Sequence, residues 1–161
     1  MSDSLQSLSR RVTGQGRALA ALSGAHVHNS AAQSINTATF TALTFDTEDW
    51  DDDAYHDTGA NTSRITIRVP GRYAIGCNVG FAANATGYRQ VRLFVNGATS
   101  IKMVAHSAAA GGTTHHEALE AVYEFNAGDY IEVLVYQNSG GALNVDAADV
   151  AQSFWIYKLS G

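Results

Sequence analysis

The sequence predicts an all-β fold, an antiparallel β-sandwich or jelly roll, preceded by a short amphipathic helix. Three observations predict it. Apolar and polar residues alternate with a period of two along most of the chain. The alternating segments are short and separated by clusters of Gly, Asn, Asp and Ser. A helical period near 3.5 occurs only close to the amino terminus.

The helix comes first. In "SLQSLSRRVTGQGRALAAL", residues 4–22, the residues Leu5, Leu8, Val12, Leu19 and Leu22 follow a heptad spacing in which Gln15 is the polar member. Gly14 and Gly16 each cost roughly 1 kcal/mol in a helix interior, and under three heptads cannot hold a helix alone. The segment therefore needs a partner. It either lies on its own domain or frays, or it forms a short coiled coil between copies or docks on another protein. We assign residues 1–24 to this trimerisation or attachment helix and residues 25–161 to the sandwich domain.

The strands follow. "RITIRV" alternates Ile65, Ile67 and Val69 with Arg64, Thr66 and Arg68, and "YAIGCNVGF" places Tyr73, Ile75, Cys77, Val79 and Phe81 on one face. "RQVRLFV" points Val91, Leu93 and Val95 inward and ends at Asn96-Gly97, which favours a type I′ hairpin turn. "YIEVLVYQ" turns Ile131, Val133 and Val135 to the core. Its other face carries Tyr130, Glu132, Leu134 and Tyr136, too apolar for open water and suited to a neighbouring subunit. In "SFWIYKL", Phe154 and Ile156 lie on one face and Trp155, Tyr157 and Leu159 on the other, so both faces require burial.

Bulk properties exclude several function classes. A chain of 161 residues is long enough for one main domain with its own core. A net charge of −5 with ten scattered Lys and Arg residues argues against nucleic acid or an anionic membrane surface as partner. The single Cys77 forms no internal disulfide and reads as a small core residue. "MSDSLQSLSRR" lacks the pattern of a secretory leader and no apolar run reaches bilayer length, so assembly in a cytoplasm without membrane insertion is expected.

Candidate chemistry is sparse. "EDWDDDAYHDTG", residues 48–59, sets Asp49, Asp51 and Asp53 at alternate positions like the start of a calcium loop, but Ala54 and Ala60 stand where the turn glycine and bidentate Glu belong. The stretch reads as a solvated acidic loop. His26 and His28, two apart on a strand, point the same way and suit a transition metal if copies meet on an axis. His115, His116 and Glu117 form a weaker candidate. No nucleophile elbow or phosphate-cradling loop occurs, so no enzyme activity and no cofactor are expected.

Taken in order, "VPGRYAIGCNVGF", "NATGYRQVRLFVNG", "NAGDYIEVLVYQNSGGALNV" and "SFWIYKL" resemble the strand core of the C1q/tumour-necrosis-factor-like jelly-roll superfamily, and most of all its bacteriophage branch. The resemblance covers roughly residues 25–160. It implies a ten-stranded jelly roll that assembles as a homotrimer, with Tyr130, Leu134, Tyr136, Trp155 and Tyr157 at the subunit contacts. It also makes the acidic stretch a recurrent connection anchored by Trp50 and Tyr55. The implied function is that of a phage virion structural protein exposed on the particle surface. Such a protein is a trimeric knob on a tail fibre, tail tip or head spike, anchored to capsid or tail proteins by its amino-terminal helix. Its distal loops, residues 82–88 and 105–116, would contact a host glycan or protein, with Tyr88 as the stacking candidate. Capsid decoration with a purely structural role is the alternative, and a bacterial carbohydrate-binding module is a second.

Overall fold

Strand-forming residues and turn residues divide the chain into twelve strands among the described residues. The computed structural model describes residues 23–108, 113–147 and 152–160. The heptad residues Leu5, Leu8, Val12, Leu19 and Leu22 lie outside them. In order the strands are β1 (Gly24–His28), β2 (Gln33–Ile35), β3 (Thr41–Ala42), β4 (Thr47–Asp51), β5 (Arg64–Thr66) and β6 (Gly71–Phe81). They continue with β7 (Tyr88–Val95), β8 (Thr99–Ser107), β9 (His115–Phe125), β10 (Tyr130–Gln137), β11 (Leu143–Val145) and β12 (Gln152–Ser160). No helix occurs among the described residues. β1 starts at Gly24, one residue earlier than the domain boundary read from sequence.

The strands form two antiparallel sheets. The seven-stranded sheet runs β2-β11-β6-β12-β1-β4, with β9 on the other side of β6. The five-stranded sheet runs β3-β10-β7-β8, with β5 paired to β10. Neighbours in these orders are mostly distant in sequence, as the crossing connections of a jelly roll require. The antiparallel jelly roll expected from the sequence is the fold observed.

The core fills the space between the sheets. Val27, Tyr73, Ile75, Cys77, Val79, Phe81, Phe154 and Ile156 from the larger sheet meet Val91, Leu93, Ile131, Val133 and Val135 from the smaller, all buried. Each such side chain contributes about 1.5–3 kcal/mol. Burial pushes the Cys77 thiol up to about 12, so it is a packing residue without thiolate character.

Local chemistry sets the turns. Asn96 and Gly97 have φ of 53° and 65°, both in the left-handed region that a type I′ turn demands, and the Ala98 amide donates to the Val95 carbonyl at 3.0 Å. The Asn96 side chain also ties this turn to the next hairpin: its Nδ2 donates to Asp129 and its Oδ1 accepts from the Tyr130 amide. One expected alternation stops early. Ile65 and Ile67 are buried, whereas Val69 is exposed. The Ile67 amide still donates in register to the Asp129 carbonyl, but the Ile67 carbonyl accepts from Gly128 in the turn before β10, where the partner strand ends, and Pro70, with no N–H, cannot extend the ladder.

The sandwich has two distinct ends. Pairing of Gly24 with Tyr157, and of Arg72 with both Glu124 and Ser160, puts the start of β1 and the end of β12 at one end. Pairing of Phe81 with His115 and Val145, and of Tyr88 with Ser107, puts the connections 82–87 and 138–142, together with Ala108, at the other. Ala108 donates to the Gly87 carbonyl and Tyr88 to the Asn138 side chain, which joins these connections.

Candidate functional site: an aromatic sheet face bedded on glycine

Side chains alternate across a strand, so the residues between the core positions of the larger sheet form its outer face. Two cross-strand rows organise it. One runs Trp50, His26, Trp155, Gly76, Glu120, and the next runs Gly24, Tyr157, Ala74, Val122. Gly76 has no side chain where one would stand: a Cβ there would lie 2.1 Å from the Trp155 indole. The ring therefore lies flat across β6. Gly24 is similar, since a Cβ would meet the Ile156 carbonyl oxygen at 2.1 Å and the Trp50 ring at 3.1 Å. Glycine inside a strand marks a close approach, here by the Trp155 indole at Gly76 and by the Ile156 carbonyl, with the Trp50 ring next to it, at Gly24.

The rings then pack on one another. Trp50 and Tyr157 have centroids 4.9 Å apart, Trp155 and Tyr157 5.6 Å, and His26 stacks on Trp50 at 6.3 Å with the planes 18° apart. Beside them Ala74, Glu120, Ala121, Val122 and Trp155 line a shallow hollow. Val122 is 64% exposed, Leu159 51% and Tyr157 37%. A continuous apolar surface of this kind marks an interaction site.

The five residues expected at subunit contacts fall into two groups. Trp155 and Tyr157 belong to this face. Tyr130, Leu134 and Tyr136 lie on the outer face of the smaller sheet, across the core from the first group. There the chain covers part of its own aromatic surface, leaving Phe40 and Tyr88 partly exposed. The Arg64 guanidinium sits 4.0 Å from the Tyr130 ring centroid and its Nε donates to Glu132 at 3.3 Å. Arg92 sits 4.2 Å over Phe40, which packs on Tyr136 at 5.0 Å, and Tyr136 stacks on Tyr88 at 5.3 Å.

The acidic stretch is not one loop. Residues 47–51 form β4, paired with β1 across a register shift that puts Trp50 beside His26. The alternate carboxylates do not converge. Asp49 Oδ2 contacts Nδ1 of His26 at 2.5 Å and of His28 at 3.1 Å. Asp51 accepts from the Tyr55 and His56 amides, both at 2.9 Å, and Asp53 pairs with the Ser23 hydroxyl. Partial burial pushes the Asp49 carboxyl up, but hydrogen bonds from His28 and His26 outweigh it and hold the group below the usual carboxylate range. The anchors of the connection are Tyr55, edge-on to Tyr73, and His56, buried between Glu48 and the Thr62 carbonyl.

Sequence reasoning missed Trp50, Ala74 and Val122 as members of the aromatic face. The signal was present in Gly24 and Gly76, glycines inside strand patterns, beside a final strand apolar on both faces.

No protein-family model matches the chain. A curated relative, an uncharacterised protein of Acanthamoeba polyphaga mimivirus, is 33% identical over 88 residues, which are 52% of this chain and 37% of the relative. The chain thus spans little more than a third of that protein's length. Among solved structures, murine APRIL is similar with a TM-score of 0.67 at 13% identity, covering 86% of this chain and 99% of that one. Eiger TNF from S. frugiperda is similar with a TM-score of 0.64 at 15% identity, covering 86% and 93%. At these identities the likeness is one of fold: the described residues form a jelly roll like those of the TNF-type structures.

Proposed function

We propose that the protein is a virion structural component of the bacteriophage kind, a homotrimeric jelly-roll knob held on a tail fibre, tail tip or head spike by its amino-terminal segment. The observation that carries this reading is the glycine-bedded aromatic face. Trp50, Trp155, Tyr157 and Val122 form a flat apolar surface, with Glu120 as the charge among its central rows. Two further copies are its occupants. Three chains closed about an axis cover all such faces without leaving an open one. The strand motifs resemble trimeric phage proteins, and the relative in a large DNA virus agrees with a viral setting.

The two ends of the sandwich give the knob a direction. Ser23 enters beside the end of β12, so an attachment segment would leave from there, and the connections 82–87 and 138–142 lie at the opposite end. Three copies present these connections together, and weak contacts to a host surface then add through avidity. The test has two parts. Light scattering of the purified full chain is expected to give three times the 17.1 kDa chain mass. Removing residues 1–22 is expected to leave a folded trimer that no longer enters particles. A stable monomer, or normal incorporation of the truncated chain, overturns the reading.

A second reading, a carbohydrate-binding module, draws on the row Tyr88, Tyr136 and Phe40 on the smaller sheet. Exposed rings of this kind stack on sugars. Loss of binding to host polysaccharide in Tyr88→Ala, with the trimer intact, would favour it.

A further inference from the structure

At the end of the sandwich opposite Ser23, a second group of chemistry-bearing side chains comes together outside the aromatic face. His115 and Glu117 alternate on β9, so both point the same way, and that way is inward, in line with the buried Leu119 and Phe125. His106 reaches them from β8 of the other sheet. Its Nδ1 contacts Glu117 Oε1 at 2.6 Å, and His115 Nε2 contacts the same oxygen at 2.6 Å. The Glu117 side chain is only 4% exposed, against 19% for His115 and 58% for His106. The two imidazole rings lie 5.9 Å apart. His116, the neighbour between them in sequence, is exposed on the opposite face.

A buried carboxylate whose polar contacts among the described residues are two imidazoles on one oxygen has a charge to balance. A divalent cation held by the carboxylate and the two imidazole nitrogens would balance it. The ligand atoms of the three residues lie within 4.8 Å of one another. Zinc takes N and O ligands at about 2.0–2.2 Å in tetrahedral array, which sets ligand atoms roughly 3.3 Å apart. The two 2.6 Å contacts would open by less than about 1 Å, and His106, the most exposed of the three, can swing to allow it.

We propose that His106, His115 and Glu117 form a binding site for a divalent transition cation of the zinc class, with two imidazole nitrogens, one carboxylate oxygen and a fourth position open to water. Imidazole nitrogen with a single carboxylate selects such a cation over calcium or magnesium, which take oxygen ligands. The cation clips β8 of the smaller sheet to β9 of the larger, beside the connection 82–87. This inference stands on the geometry of the three side chains and does not depend on a virion role.

The test uses the full chain, dialysed against a chelator and titrated with zinc chloride, with cobalt(II) as a spectroscopic probe of nitrogen ligation. About one equivalent per chain is expected to bind, with a rise in Tm of roughly 5–10 °C at a hundredfold excess over Kd. His106→Ala, at an exposed position, is expected to keep the metal-free Tm and lose at least tenfold in affinity. Glu117→Gln, similar in shape but uncharged, is expected to lose binding as well. His28→Ala is expected to bind as the parent does. Absence of saturable zinc binding, or unchanged affinity in His106→Ala, overturns the proposal. So does loss of binding in His28→Ala with His106→Ala unaffected, which would move the metal to His26, His28 and Asp49.

Discussion

The sandwich has two outer faces, both rich in aromatic residues, and they differ in how those residues are finished. On the smaller sheet guanidinium groups lie against two of the rings, Arg64 over Tyr130 and Arg92 over Phe40, although Phe40 and Tyr88 keep an exposed side. On the larger sheet the rings lie flat on glycine, and Val122, Tyr157 and Leu159 are left to solvent. A guanidinium over a ring replaces the partner the ring would otherwise need. A ring seated on bare backbone smooths the sheet and readies it for a second surface. Aromatic content alone therefore does not mark an interface; what lies beneath and above each ring does.

The largest effect is expected from a charge placed on the smooth face. Val122→Glu leaves the isolated fold intact because the site is exposed, but it buries a carboxylate at the proposed contact, at a cost of several kcal/mol. Light scattering should show a monomer. Tyr136→Glu, on the arginine-covered face, should leave the mass unchanged, and a monomer from that variant would reverse the assignment of the two faces.

Gly76→Ala should come next. The added methyl enters the space of the Trp155 ring, and displacing the ring is expected to cost about 1–3 kcal/mol in thermal unfolding. On the other face Arg64→Ala uncovers Tyr130 and leaves Glu132 with the Ser63 hydroxyl as its remaining side-chain partner. Because the guanidinium is partly solvated, the expected loss is under about 1 kcal/mol, with increased binding of a hydrophobic dye.

The smallest effect lies away from both faces. Hydrogen bonds from the Ser30 hydroxyl and amide hold Asp46 below its ordinary value of 3.8, and bonds from the Asn96 side chain and the Asn126 amide do the same for Asp129. A carboxyl depressed in the folded state stabilises above the unfolded pKa, and that contribution disappears as pH falls through the folded value. Stability should thus be flat down to about pH 4 and decline below it. Asp46→Asn should flatten part of that decline, and each group, being solvent-screened, should account for well under about 1 kcal/mol.

Much of the fold was legible in the sequence because its signals are local. A period of two identified the core residues of β6, β7, β10 and β12, and Asn96-Gly97 fixed a hairpin. Val69 departed from the pattern because the strand it would pair with, β10, ends at the turn before Tyr130, a limit set by a part of the chain distant in sequence. The candidate face was legible only in half. Trp155 and Tyr157 declared themselves by a strand apolar on both sides. Trp50 was hidden in an acidic run, and its place beside His26 depends on a register shift between β1 and β4 that no local pattern encodes. Tyr130 and Tyr136 looked identical in kind to Trp155, because the arginines that cover that face come from other strands and a connection joins them only in three dimensions. The meeting of His106 with Glu117 was likewise invisible, since it requires the two sheets to approach at one edge.

The seating of Trp155 on Gly76 also bears on how this sequence can change over time. An alanine at position 76 collides with the indole, and a smaller residue at position 155 leaves bare backbone open to water, so each single step is penalised while the pair together is not. Positions 76 and 155 are therefore expected to vary as a linked pair across descendants of this chain, and one without the other should be found only where the face has lost its partner.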